Sequence, residues 1–340
     1  MKKNVLLMIA LIVIGCGGPP PVVPAVPGRA SGEEIKLSLV REVILQDDQT
    51  ISAPVEVSSF QYSDGLMYIA DTYKLQQAYV YDEGGRLITL VGGPGQGPGE
   101  YSRPGGFCRS GEKLHVATGT KYILYDLDGK HLKTSLEVTT GGIPRTLQPG
   151  PNGTVFYTTY SRHAPDATVY KISDDAKLLK PFSPTDSDFN LFWDMVHPMG
   201  LVVVNKDYIS QIFIHKYEIK YFDLNGNYIK TIPLASSIYN APSFKKAKNL
   251  SDNKKEWWKF ATEYTLVKNF FEIGQNYVTN LAYTNLSQDR DIMEFWANDF
   301  MGMGRCFVPE NELLVGSHED QLVFYNGDTH TLYFRKIVID

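Results

Sequence analysis

The chain is short of the residues that most enzyme motifs need. It has 3 cysteines in 340 residues, and no two of them form a CxxC pair, so zinc ribbons and thioredoxin-like redox sites are excluded. HExxH, GxSxG and GK[ST] strings are also absent, which removes the zincin helix, the hydrolase nucleophile elbow and the nucleotide P-loop. No apolar run approaches the roughly 18 residues of a membrane-spanning helix. Basic charge is not in excess: 33 Lys and Arg stand against 38 Asp and Glu, a formal net charge of -5. Nucleic acid is therefore not an expected partner. Long helical periods are missing too.

What the chain does have is β-forming residues in short runs. Aromatics make up 12%, with 21 Tyr and 17 Phe, and the apolar stretches are five or six residues long. The expected class is all-β. A recurring pair of strands can be followed through the chain. Its first members are Leu66 to Ala70, Leu114 to Ala117, Thr154 to Thr158, Tyr208 to Ile214, Tyr277 to Tyr283 and Glu312 to Gly316. The second members are Ala78 to Asp82, Tyr122 to Asp126, Thr168 to Ile172, Glu218 to Asp223, Ile292 to Trp296 and Gln321 to Tyr325. Turn clusters such as Glu83-Gly84-Gly85, Leu127-Asp128-Gly129 and Leu224-Asn225-Gly226 follow most of them. An inner strand is expected just before each first member, at Pro54 to Phe60, Gly105 to Arg109, Pro144 to Gln148, Gly200 to Asn205, Thr265 to Ile273 and Gly304 to Val308. That is six units at a ragged repeat, each of a size to make a four-stranded blade.

Between the first two units lies Gly92-Gly93-Pro94-Gly95-Gln96-Gly97-Pro98-Gly99-Glu100-Tyr101, with five glycines and two prolines in ten residues. It can be neither helix nor ladder, so it reads as a surface crossover. A GxGxxG match here is not a phosphate loop, because a strand-like run rather than a helix follows it. Ile69-Ala70-Asp71, Val80-Tyr81-Asp82 and Gly97-Pro98-Gly99-Glu100-Tyr101-Ser102-Arg103-Pro104 together resemble the NHL-type repeat. The resemblance implies a β-propeller, here with six blades over residues 35–340. Lys36 to Leu45 has no partner nearby in sequence and is expected to close the ring beside Thr331 to Ile339.

The N-terminus reads as an export signal. Lys2 and Lys3 precede a ten-residue apolar run from Val5 to Ile14. Val13-Ile14-Gly15-Cys16 resembles the bacterial lipobox, which implies cleavage before Cys16 and diacylation of its sulfur; an ordinary secretory signal is the alternative. Residues 1–16 are then the signal peptide, and 17–34, rich in Pro and Gly, form an extended tether. The expected location is the bacterial envelope, with a lipid anchor in the membrane, on the outer membrane or facing the periplasm. Cys108 and Cys306 are placed on innermost strands of blades two and six and read as small buried residues without a disulfide.

From Ser236 to Tyr264 the strand pattern lapses. Ser251 caps an expected inserted helix over 251–264, with Trp257, Phe260, Ala261 and Tyr264 on one face. It reads either as a partner- or membrane-facing element or as a connecting helix packed on blade four or five. The turns between paired strands open on the same face as the crossovers. There Tyr73, Tyr101, Arg103, Arg162, His163, His215, Lys216 and His318 are the candidate ligand-binding residues; Arg103, Arg162 and Lys216 with Tyr73, Tyr101 and Tyr160 would make a basic, aromatic mouth for an anionic or carbohydrate-like ligand. His163, His215 and His318 could instead converge on zinc, and related propeller enzymes carry calcium in the channel. No cofactor and no catalytic set is identified by residue. The leading expectation is a non-catalytic propeller that binds a protein or small-molecule ligand at its mouth; the alternative is a metal-dependent hydrolase or lyase acting in the channel.

Overall fold

The computed structural model describes residues 34–47, 51–136, 146–158, 168–183, 200–213, 216–234, 236, 266–274, 277–283, 291–297 and 302–338. The expected signal peptide over 1–16, nearly all of the expected tether over 17–34 and the expected 251–264 helix lie outside the described residues. Among the described residues, twenty-four strands form six antiparallel sheets of four strands each. β1 (Lys36–Ile44) comes first in the chain. Blade one is β2 (Ser59–Ser63), β3 (Leu66–Asp71), β4 (Gln77–Asp82) and β5 (Leu87–Val91); blade two is β6 (Gly106–Ser110), β7 (Lys113–Ala117), β8 (Tyr122–Tyr125) and β9 (His131–Ser135). Blade three is β10 (Thr146–Pro149), β11 (Val155–Thr158), β12 (Val169–Ile172) and β13 (Leu178–Phe182); blade four is β14 (Gly200–Val204), β15 (Ile209–Phe213), β16 (Glu218–Phe222) and β17 (Tyr228–Pro233). Blade five is β18 (Leu266–Ile273), β19 (Tyr277–Tyr283), β20 (Ile292–Ala297) and β21 (Gly302–Phe307); blade six joins β22 (Leu313–His318), β23 (Gln321–Asn326) and β24 (Thr331–Val338) to β1.

The innermost strands touch in the order β2, β6, β10, β14, β18, β22 and back to β2, so the ring is closed. Its core is divided into six clusters, one at each joint between blades. Tyr68, Ala70 and Val80 pack toward Phe107, Leu114 and Ile123 of blade two. Their strand neighbours Met67, Ile69, Tyr79 and Tyr81 pack the other way, on Val323, Tyr325 and Phe334 of blade six. Side chains alternate across a strand, and here both faces are buried. This is why Met67-Tyr68-Ile69-Ala70 reads as an unbroken apolar run rather than an alternating one.

β1 runs antiparallel to β24 from Lys36 opposite Val338 to Ile44 opposite Thr331. This is the closure expected from Lys36 to Leu45. It also overturns one assignment: Gly304 to Val308 is not the inner strand of blade six but part of β21, the outermost strand of blade five, which pairs with β20. Blade six takes its fourth strand from the other end of the chain, so only three strands remain at the C-terminus. Counting four strands back from that end runs into blade five. Cys306 consequently lies on an outermost strand, while Cys108 is on the innermost strand of blade two; both are buried and free. Blade one also starts later than expected, at Ser59 rather than Pro54.

Each outermost strand carries a bulge opposite the same layer of its neighbour. The extra residues are Val40, Ile88, Leu132, Leu179, Ile229 and Met303. An outer strand leaves its far edge unpaired, and a bulge interrupts the flat ladder on which a foreign strand could add.

Candidate functional site

Strand direction alternates within a blade, which sorts the connections onto two faces. Second-to-third turns and the crossovers between blades open on one, the crossover face. First-to-second and third-to-fourth turns open on the other, the turn face. The two differ in length. On the turn face β2 passes to β3 through residues 64–65, β6 to β7 through 111–112, and β22 to β23 through 319–320. On the crossover face β13 and β14 are joined by residues 183–199, and β17 and β18 by residues 234–265. Long connections on a rigid scaffold are where binding groups are usually carried.

The best described part of this face lies over blades one and two. Asp71, at the end of β3, is buried and accepts four backbone N–H bonds: Oδ1 from Lys74 at 2.8 Å and Leu75 at 3.1 Å, Oδ2 from Val55 at 3.0 Å and Glu56 at 3.1 Å. One carboxylate thus shapes the β3–β4 turn and holds residues 55–56 against it, which is why no strand forms there. The next residue, Thr72, donates its hydroxyl to the Pro104 carbonyl at 2.5 Å. That bond fixes the turn bearing Tyr73 against the crossover bearing Arg103. Tyr73 is 51% exposed, and Lys74 and Arg103 are exposed beside it.

The crossover itself is ordered from within. Gly95 N donates to Tyr101 O at 3.0 Å and Tyr101 N to Gly93 O at 2.9 Å. Lys121 from blade two reaches in, and its ammonium donates to the carbonyls of Gln96 at 2.9 Å, Glu100 at 3.3 Å and Gly97 at 3.4 Å. Two of the glycines are left-handed, Gly92 at φ +64° and Gly99 at φ +74°, a conformation that costs other residues energy.

Of the candidate ligand-binding residues, the structure places Tyr73 and Arg103, both exposed, next to the two residues of the Thr72–Pro104 hydrogen bond, and Lys216 on the same face, partly buried, over blade four. Tyr101 is a correction. It is 1% exposed, its hydroxyl donates to Val91 O at 2.5 Å and accepts from Ala78 N at 3.1 Å and from the Gln77 amide at 3.3 Å. Burial holds its phenol above the usual range. It plugs the crossover onto blade one and cannot meet a ligand. His318 is a second correction. Because β22 is the innermost strand of blade six, His318 ends it on the turn face, packed against Tyr62 with ring centroids 4.1 Å apart and the rings tilted by 37°. Desolvation keeps its imidazole below the ordinary value. No zinc triad on the crossover face can include it. Arg162, His163, His215 and Cys16 lie outside the described residues. Among the described residues no three His, Cys, Asp or Glu side chains are grouped to hold a metal, and no helix is long and apolar enough to cross a membrane.

Of the residues that organise this surface, Asp71 is legible in the sequence as the end of the Ile69-Ala70-Asp71 string and Lys121 as a polar turn residue, but neither role is. The partners that give them their roles are 15 and 25 positions away along the chain.

Comparison with known proteins agrees with the architecture. A family described as a 6-bladed β-propeller, DUF5128, matches residues 46–190, a stretch that contains blades one to three. None of the curated proteins matches the chain. Among solved structures, a Bacteroides fragilis NCTC 9343 protein described as exported shares 12% identity at a TM-score of 0.67, over 92% of this chain and 99% of that one. A DUF4221 family member from Bacteroides vulgatus ATCC 8482 shares 10% identity at a TM-score of 0.61, over 91% of this chain and 99% of that one. At such identities the likeness concerns fold alone, and what sequence, topology and comparison agree on is an all-β propeller of six four-stranded blades.

Proposed function

We propose that the chain is a lipid-anchored protein of the bacterial envelope whose propeller binds a protein or small-molecule partner through its crossover face, without catalysis. The observation that carries this reading is the asymmetry of the two faces: tight turns on one, and on the other the long connections together with the exposed Tyr73, Lys74 and Arg103. Tyr and Arg are the side chains that most often anchor recognition surfaces. The start of β1 supports the same orientation. Lys36 opposes Val338 at the turn face, so an anchor at Cys16 would hold the ring by that side and leave the crossover face free.

Two variants test the reading. Cys16→Ser removes the sulfur that would carry the lipid, and the propeller should then appear in the soluble fraction or as uncleaved precursor. A mature, membrane-bound form of that variant would refute the anchor. Tyr73→Ala combined with Arg103→Ala should abolish co-purification of the native partner at an unchanged melting temperature. An undiminished complex would refute the crossover face as the binding surface.

A further inference from the structure

On the turn face, away from those loops, one carboxylate is held in a way the fold does not require. Glu272 is the next to last residue of β18, and its side chain crosses to blade four. There Oε1 accepts the Ser210 hydroxyl at 2.7 Å, while Oε2 accepts the Tyr208 hydroxyl at 3.1 Å and the Asn205 amide. All three donors are neutral. Among the described residues no Lys, Arg or His forms an ion pair with Glu272, and Lys206, in the same turn, is exposed. Burial pushes the carboxyl above its usual range, and the three hydrogen bonds only partly oppose that. Glu272 is partly exposed, and a carboxylate largely withdrawn from water is normally paired with a cation; among the described residues this one is not.

Other joints show what a purely structural latch looks like here. Between blades one and two, Gln61 exchanges two bonds with the Arg109 backbone, at 2.7 and 3.0 Å. Between three and four, Gln211 donates to the Thr168 hydroxyl at 2.9 Å and accepts from Ser183. Between five and six, Asn269 donates to Leu314 O at 2.7 Å. Each uses a neutral amide. At the four–five joint a carboxylate takes the place of the amide, beside two tyrosines: the rings of Tyr208 and Tyr221 meet edge to face at 5.3 Å. Burial keeps both phenols neutral. Among the described residues Oε1 has one donor, so a lone pair remains for a ligand.

We propose that Glu272, with Tyr208 and Asn205, forms the anionic half of a site for an organic cation, an ammonium or guanidinium group of the kind a lysine or arginine side chain presents. The carboxylate supplies the counter-charge and the tyrosine ring an electron-rich wall. This site lies on the opposite face from Tyr73 and Arg103 and is independent of the partner proposed there.

The test is calorimetric titration of the mature protein in detergent with N-acetyl-arginine amide, N-acetyl-lysine amide and the neutral N-acetyl-norleucine amide. The cations should saturate at neutral pH with at least about tenfold preference over the neutral probe and should raise the melting temperature. Because a protonated carboxyl offers no charge, both effects should fade on acidification, earlier than for an ordinary glutamate. Tyr208 and Tyr221 stay neutral throughout, and Asp207, next to Tyr208, is exposed. Glu272→Gln should melt no lower than the parent at neutral pH and lose the cation preference. Equal binding of the three probes, no saturation by either cation at millimolar concentration, or a folded Glu272→Gln protein that keeps its affinity would overturn the proposal. Should that variant fail to fold, the comparison of cationic and neutral probes on the parent protein, at neutral and acid pH, decides alone.

Discussion

Replacing Gly92 by alanine should destabilise the propeller far more than the same change at Gly97, five residues along the same crossover. Gly92 sits at φ +64°, and a Cβ there would meet the Tyr125 hydroxyl, Tyr101 Cε1 at 2.7 Å and Gly99 O at 2.8 Å. None of these can step aside: Tyr125 is bonded to Gly99 O at 2.9 Å, and the Tyr101 hydroxyl has three partners. The left-handed backbone costs about 1–2 kcal/mol for a non-glycine residue, and overpacking a fixed site about 1–3 kcal/mol more. A loss of about 3 kcal/mol is therefore expected. At Gly97 the nearest atom would be Glu100 Oε2 at 3.0 Å, the far end of a flexible side chain that accepts the Gly97 N–H at 2.7 Å, and φ is not in the left-handed region. That change should cost no more than about 0.5 kcal/mol. The assay is urea unfolding at equilibrium, reading the midpoint at constant slope. Equal and small effects at both positions would show that the crossover is not packed on blades one and two as described.

Tyr101→Phe should cost about 1–3 kcal/mol, because the Ala78 N–H and Val91 carbonyl lose a buried partner, while partner binding stays intact; lost binding at full stability would restore Tyr101 to the recognition surface. His115 is fully buried, and desolvation lowers its pKa to about 4. The unfolded chain takes up this proton below about pH 6.5, so the stability His115 contributes is complete above that pH and is lost as pH falls toward 4. The loss amounts to about 2 kcal/mol at pH 5. His115→Gln should remove this component, so that its stability falls less than the parent's between pH 7 and pH 5; parallel profiles would show that His115 titrates normally.

Local features were legible in the sequence where their causes are local. Leu66 to Ala70 and Ala78 to Asp82 are adjacent in the chain and adjacent in the sheet, and a short turn fixes their register. Blade six was misassigned because its fourth strand, Lys36–Ile44, comes from the far end of the chain, and nothing near Gly304 reveals that the C-terminal count is three. The same cause moved His318 to the wrong face. Tyr73 and Tyr101 looked alike as turn tyrosines. What separates them is the carbonyl of Val91 and the N–H of Ala78, 10 and 23 positions away, which only folding brings to Tyr101. The Glu272 site was not legible at all, since its partners belong to a different blade.

The most direct test of the proposed function is site-specific photo-cross-linking in cells. A photoreactive residue placed at Tyr73 or Lys74 should capture the partner, and one placed at Asp64 or Glu112 on the turn face should not. Adducts formed from the turn-face positions, with none from Tyr73 or Lys74, would contradict the account.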